Sequence, residues 1–239
     1  MRAFSKSFRL EVGHSGLFEA LINDLDADPD TKESIKTYIE NKNYSALNDL
    51  LDKLEKTETA TAIRSLPSLF GGVEVFEKAE SIIKAPKALS ALSYLKSLYS
   101  DLLALELGEN IIVDLGLLQR NDYYSGIIFS GYIQGYGDAI LSGGRYDKIF
   151  DLFDVPMGAS GFAINIDYLA EQARYTSKSN IPEVLVYAKN DSDIIDAIKR
   201  TSELVKSGVK AQFSDLSDEK EAREFAQRLG IAKFEMIGE

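Results

Sequence analysis

The sequence predicts an α+β protein: an antiparallel sheet carrying a helical insertion, followed by a small α/β unit. Three observations predict it. Strand-like alternation at Phe8–Val12 stops, and short apolar runs joined by tight turns resume only at Ile111. Between them the chain is leucine-rich with helical spacing, punctuated by Pro67, Gly71-Gly72 and Pro86. After a polar stretch at Thr176–Pro182, strand and helix patterns alternate at the spacing of βαβ units. The expected domains are residues 1–175, with the insertion at about 28–107, and residues 182–239.

Each element has its own warrant. Phe8, Leu10 and Val12 alternate with Arg9 and Glu11, the pattern of a half-buried strand. Ser15 is placed to cap a helix through Ile22. Asp28-Pro29-Asp30 breaks the chain, and Asp30 with Glu33 has the form of a capping box. A helix after Ser45 carries Leu47, Leu50, Leu51 and Leu54 on one face. Ser65-Leu66-Pro67 and Phe70-Gly71-Gly72 read as connectors. Ile111–Val113 and Ile127–Ile133 read as strands, Gln134–Asp138 as a hairpin turn and Ala139–Leu141 as the returning strand. Gly161–Ile166 reads as a further strand buried on its Phe162, Ile164 and Ile166 face, with Asp167 capping a helix to Arg174. In the second unit, strands at Val184–Tyr187, Val209–Phe213 and Phe234–Ile237 alternate with helices after Ser192 and from Lys220 to Leu229. The first of these helices carries Ile194, Ile195, Ile198 and Leu204 in its apolar stripe, and Gly208 ends it.

Composition narrows the function. The chain has 239 residues, 45% hydrophobic, enough to bury a core, and no apolar run approaches a membrane span. The Met1–Lys6 start lacks the apolar segment of a signal peptide. With no cysteine, disulfides, zinc–thiolate sites and cysteine nucleophiles are excluded, and the expected location is the cytoplasm. A net charge of −11 with lysines interleaved among acids disfavours nucleic acid. His14 is the single histidine, so metal sites built from several histidines are excluded. No metal and no cofactor is expected. His14 is read either as a structural strand-end residue or as a ligand-facing one.

The candidate site lies between Asp122 and Asp167. Asp122-Tyr123-Tyr124-Ser125-Gly126, Ser142-Gly143-Gly144-Arg145-Tyr146-Asp147 and Gly158-Ala159-Ser160-Gly161 alternate with apolar runs. Glycines at strand ends admit close approach of a ligand to the backbone, which singles out Gly143, Gly144 and Gly161. Arg145 presents a planar fork for a carboxylate or phosphate, or pairs with Asp147 or Asp122 to hold the loop. Tyr146 offers a hydroxyl to a ligand or fills the core. Consecutive Tyr123 and Tyr124 on an extended segment would face opposite sides, one core and one pocket. Asp122 suits a ligand ammonium or Arg120. The glycine loop at 158–161 precedes a strand, so a dinucleotide site is excluded.

These three segments resemble the histidine-binding and third signature motifs of class II synthetases of the histidyl type. Leu10–Phe18 and the residues from Val184 onward resemble flanking parts of the same family, the latter its α/β anticodon-binding domain. The resemblance implies a class II synthetase-like fold in which Tyr124 and Tyr146 line an amino-acid pocket that Asp122 and Arg145 support. It also exposes two departures. The arginine expected three residues before Asp122 is Gln119, and the arginine closing the third motif is Tyr168. A kept pocket without the cations that adenylation requires resembles the non-catalytic branch of the family, the regulatory subunits of short-form ATP phosphoribosyltransferase. That resemblance implies no catalytic residue, a separate catalytic subunit as partner, L-histidine as feedback ligand and a homo-oligomeric parent chain. The open alternatives are a segment of a divergent histidyl-tRNA synthetase, with Arg120 as a shifted arginine, and a free-standing amino-acid sensor. The first two signature motifs and the last α/β strand are missing from the pattern, so the sequence reads as part of a longer chain.

Overall fold

The computed structural model describes residues 8–119, 123–151, 153–154, 157–167 and 181–238. The chain divides into two units: Met1–Ser100 with Leu107–Ala173, and Asp101–Glu106 with Arg174–Glu239. No helix among the described residues is long and apolar enough to cross a membrane.

The first unit is built on a six-stranded sheet, in the order β2-β3-β1-β4-β5-β6. Its strands are β1 (Phe8–His14), β2 (Phe70–Gly71), β3 (Ile111–Asp114), β4 (Ile127–Ile133), β5 (Leu141–Arg145) and β6 (Ser160–Ile164). β4, β5 and β6 pair antiparallel in chain order, β4 and β5 through a short connection and β5 and β6 through the longer segment 146–159. β1 pairs antiparallel with β4 and parallel with β3, so one parallel pair interrupts the expected antiparallel order. A parallel pair needs a long crossover. Residues 15–110 supply it as a helical layer: α1 (Ser15–Asp24), α2 (Pro29–Glu40), α3 (Tyr44–Leu51), α4 (Glu58–Ser65), α5 (Glu74–Ile82) and α6 (Pro86–Ala104). The segment expected to be a connector at Phe70-Gly71 pairs with Asp114 and Val113 and forms the far edge strand.

The first three helices are capped one or two residues before the positions read from sequence. His14 caps α1, Asp28 caps α2 by accepting from Thr31 N at 3.0 Å, and Asn43 caps α3 by accepting from Ala46 N at 3.2 Å. Pro29 at the first helical position explains the shift in α2, since its fixed φ suits that place and its missing N–H costs nothing there. Ile35, Leu47, Ile63, Leu66, Phe76, Ile83 and Leu95 are buried, so the leucine-rich stripes form the core of this layer.

Strand β6 departs most from expectation. Phe162 is 64% exposed and Ile164 38%, and Ile166, beyond the end of the strand, 72%, so the face expected to be buried is open. β6 is the end strand of the sheet, where apolar alternation marks a pleat without fixing which face is covered.

The second unit is a three-stranded parallel sheet in the order β8-β7-β9: β7 (Val184–Ala188), β8 (Ala211–Phe213) and β9 (Lys233–Ile237). The crossovers are α8 (Ile194–Lys206) and α9 (Glu219–Leu229). Val184 and Val186 pack with Ala197 of α8, while Leu185 on the opposite face packs with Ala226 of α9. A strand covered on both faces has the unbroken apolar run that β7 shows. Ile194, placed in the buried stripe by the sequence, is 36% exposed at the start of α8.

Candidate functional site

The site forms where the β4–β5 pair meets the start of α1. Ser15 donates through both N (2.9 Å) and Oγ (3.1 Å) to the carbonyl of Gly126. Ser125 N donates to Arg145 O at 2.8 Å. These bonds hold Tyr123–Gly126 as a turn and bend, not an extended strand. The two tyrosines therefore do not face opposite sides. Their rings lie 4.6 Å apart, and both approach Tyr146, at 5.9 and 6.4 Å. Tyr124 is 8% exposed, and burial, followed by its contacts with Tyr123, pushes its hydroxyl up to about 12.

The glycines make this cluster possible. A Cβ on Gly144 would stand 2.4 Å from Ile127 O and 2.8 Å from Tyr124 Cδ1. One on Gly161 would stand 2.6 Å from the Tyr146 hydroxyl, and one on Gly143 2.3 Å from Gly161 O. Gly143 and Gly144 lie inside β5 and not at its end. The space that a side chain would take at Gly144 and Gly161 is held by tyrosine.

A cavity of about 330 Å³ opens beside the cluster, with Gln119, Tyr123, Tyr124, Ser142, Tyr146 and Gly161 in its lining. It brings together Tyr124, Tyr146 and Gly161 of the candidate set. Arg145 lies at the neighbouring loop, where its Nε donates to Asp147 Oδ2 at 2.7 Å. Asp147 also accepts from Ala159 N at 2.8 Å, and its own N–H donates to Ser125 Oγ at 3.0 Å. The Ala159 bond, reinforced by Arg145, holds the Asp147 carboxyl below the usual carboxylate range. Arg145 thus braces the loop through Asp147, one of the two partners open to it from sequence. Asp122, Arg120 and Tyr168, and with them the expected Asp167–Arg174 helix beyond its first residue and most of the Thr176–Pro182 linker, lie outside the described residues.

Gln119 donates from Nε2 to Ser130 Oγ at 3.1 Å and to Phe129 O at 3.4 Å, which anchors the neutral amide on β4. His14 ends β1 and uses Nδ1 to accept from Gly16 N at 3.1 Å, with its ring edge toward Tyr94 at 5.9 Å. Burial lowers its pKa, so the neutral ring that the cap requires is favoured.

One polar group escaped the sequence reading. Burial, with the nearby Glu11 charge, raises Asp114 to about 6 against the opposing Gly116 N–H bond. Burial and Glu11 likewise push Tyr132 up to about 12. The available signal was an aspartate closing the apolar run Ile111–Val113.

A family model described as histidyl-tRNA synthetase matches residues 2–169. This chain belongs to the histidyl-tRNA synthetase family. Among relatives in the family, the chain is 39% identical over 228 residues to the ATP phosphoribosyltransferase regulatory subunit of Clostridium kluyveri, covering 92% of this chain and 58% of that one. It is 35% identical over 232 residues to the protein of the same name from Clostridium botulinum, covering 95% and 55%. A solved relative, described as an ATP phosphoribosyltransferase regulatory subunit/histidyl-tRNA synthetase from Bacillus halodurans C, superposes with a TM-score of 0.65 at 25% identity, covering 98% and 59%. Histidyl-tRNA synthetase from Nostoc sp. PCC 7120, at 18% identity and a TM-score of 0.59 over 94% of this chain and 57% of that one, shares the fold. The chain therefore has the class II synthetase-like architecture and spans little more than half the length of these relatives.

Proposed function

We propose that this chain is the core of a non-catalytic regulatory subunit of ATP phosphoribosyltransferase, acting in the cytoplasm in the first step of histidine biosynthesis. The observation that carries the reading is its 35–39% identity, over 92–95% of its length, to Clostridium proteins of that name. The chemistry of Gln119 supports it. An amide donating to Ser130 and Phe129 offers no positive charge to a transition state that gains negative charge. The sequence replacement of the second arginine by Tyr168 points the same way.

In this reading Tyr124 and Tyr146 line a pocket for L-histidine, Gly143, Gly144 and Gly161 shape its backbone, and Asp122 and Arg145 support it. The partner is the catalytic subunit of the short-form enzyme. Control runs through assembly: the subunit makes different contacts with active and inhibited arrangements of its partner, and histidine biases the balance.

The test mixes a chain carrying this sequence at its relatives' full length with a short-form catalytic subunit. Formation of phosphoribosyl-ATP is followed with and without histidine. Activity that depends on the added chain and falls with histidine is expected. The second reading, a divergent synthetase, is favoured by the family match alone and predicts histidine charging of tRNA instead.

A further inference from the structure

Gln119 stands in the wall of the cavity of about 330 Å³, and its amide is held in one orientation. Nε2 donates to Ser130 Oγ at 3.1 Å and, at a longer 3.4 Å, to Phe129 O. A carbonyl oxygen can only accept, so the prong beside Phe129 is the nitrogen. Ser130 is 5% exposed and sits in register between Glu11 of β1 and Ser142 of β5, so the anchor itself is fixed. The amide is planar. With Nε2 spent on β4, Oε1 is the prong that remains, and it makes no hydrogen bond among the described residues.

The rest of the lining decides which donor this acceptor meets. Tyr123, Tyr124 and Tyr146 bring aromatic rings, Ser142 a hydroxyl, and Ile149 of α7 (Lys148–Asp151) an apolar side chain. No charged side chain lines the cavity among the described residues, and neighbouring Arg145 is engaged by Asp147. A carboxylate here would be desolvated beside a carbonyl oxygen, with no cation to pair it. An ammonium meets the opposite case: an oxygen that accepts its proton and rings whose faces attract cations.

From this geometry we infer that Gln119 is a specificity-determining residue: its Oε1 accepts a hydrogen bond from the ammonium of the amino-acid ligand, and the cavity selects that ligand by its amine, not by its carboxylate. The inference rests on the pocket proposed above and names the group that the pocket reads. An arginine at this position would present donors alone and favour the carboxylate; glutamine reverses the preference.

The test uses a chain carrying this sequence at its relatives' full length. L-Histidine, histamine, which lacks the carboxylate, and imidazolepropionate, which lacks the amine, are titrated at pH 7.5 by calorimetry. Histamine is expected to bind within about threefold of histidine, and imidazolepropionate about ten- to a hundredfold more weakly. Gln119→Leu removes the acceptor and should cut the preference for histidine over imidazolepropionate about tenfold. Gln119→Glu keeps an acceptor in place and should retain the preference. A purely structural role would weaken all three ligands in proportion and leave their ratios unmoved. If Gln119→Leu does not fold, the ratios of the parent chain and of Gln119→Glu decide. Imidazolepropionate binding as tightly as histidine, or ratios that Gln119→Leu leaves unmoved, overturns the inference while the histidine pocket stands. Absence of binding by all three overturns the pocket and the inference together.

Discussion

Gly144 and Tyr124 share one volume. The tyrosine ring stands where a side chain on the glycine would begin, 2.8 Å from an ideal Cβ, with the carbonyl of Ile127 at 2.4 Å on the same atom. The aromatic cluster is thus fixed from behind by a residue in the middle of β5.

Gly144→Ala should therefore be costly. The backbone carbonyl of Ile127 cannot move without disturbing the β4–β5 ladder, so overpacking of about 1–3 kcal/mol is expected. Gly137→Ala, in the hairpin turn of the same sheet, has no atom within 4 Å of its Cβ and should change stability by less than about 0.5 kcal/mol. Urea denaturation of both variants checks the contrast, and similar midpoints would contradict it.

His14 should make stability depend on pH. Burial holds its folded pKa below the ordinary histidine value of about 6.5, so the unfolded chain takes up the proton first. Stability is complete above about 6.5 and declines as pH falls through the lower folded value. His14→Asn keeps a capping side chain and should flatten this slope, while His14→Ala should cost about 1 kcal/mol at pH 7.5 through the lost cap. Thermal melts from pH 7.5 to 5.5 on the three proteins decide it.

Asp114 should act in the opposite sense. Its carboxyl is raised from 3.8 to about 6, so folding favours the proton, and its stabilising contribution is lost as pH rises through 6. Asp114→Asn preserves an acceptor for Gly116 N and removes the buried charge. A gain on the order of 2 kcal/mol is expected at pH 7.5, and little at pH 4. A uniform change across pH would show that burial of this charge is not the cause.

Tyr146→Phe tests the amino-acid pocket. The ring keeps its contacts with Tyr123 and Tyr124, while the hydroxyl over Gly161 is removed. Histidine inhibition of the assembled enzyme should weaken about three- to tenfold with unchanged melting. Inhibition curves that superpose on the parent would place histidine elsewhere.

What could be read from sequence follows the range of the forces involved. β1, β4 and β7 were legible because alternation and unbroken apolar runs are local patterns. Helix starts slipped by one or two residues because His14-Ser15, Asp28-Pro29-Asp30 and Asn43-Tyr44-Ser45 each offer neighbouring capping groups, and only the folded backbone selects one. The Tyr123–Tyr124 pairing was hidden because the turn there is imposed by Ser15 and Arg145, distant in sequence. Asp114 was hidden because its environment is assembled from β1, β3 and β4. The open face of β6 depends on what covers a sheet edge, which alternation does not encode.

The pairing of β1 with β3 also dictates an order of events. Leu10 meets Ile111 only after residues 15–110 have found a compact path between them. Loop closure of that length taxes the unfolded chain unless the helices shorten it first. The helical layer therefore behaves as a clasp that must snap before the sheet can register. Folding should be limited by a late, non-local step, with α2–α5 gaining protection from amide exchange ahead of β1 and β3.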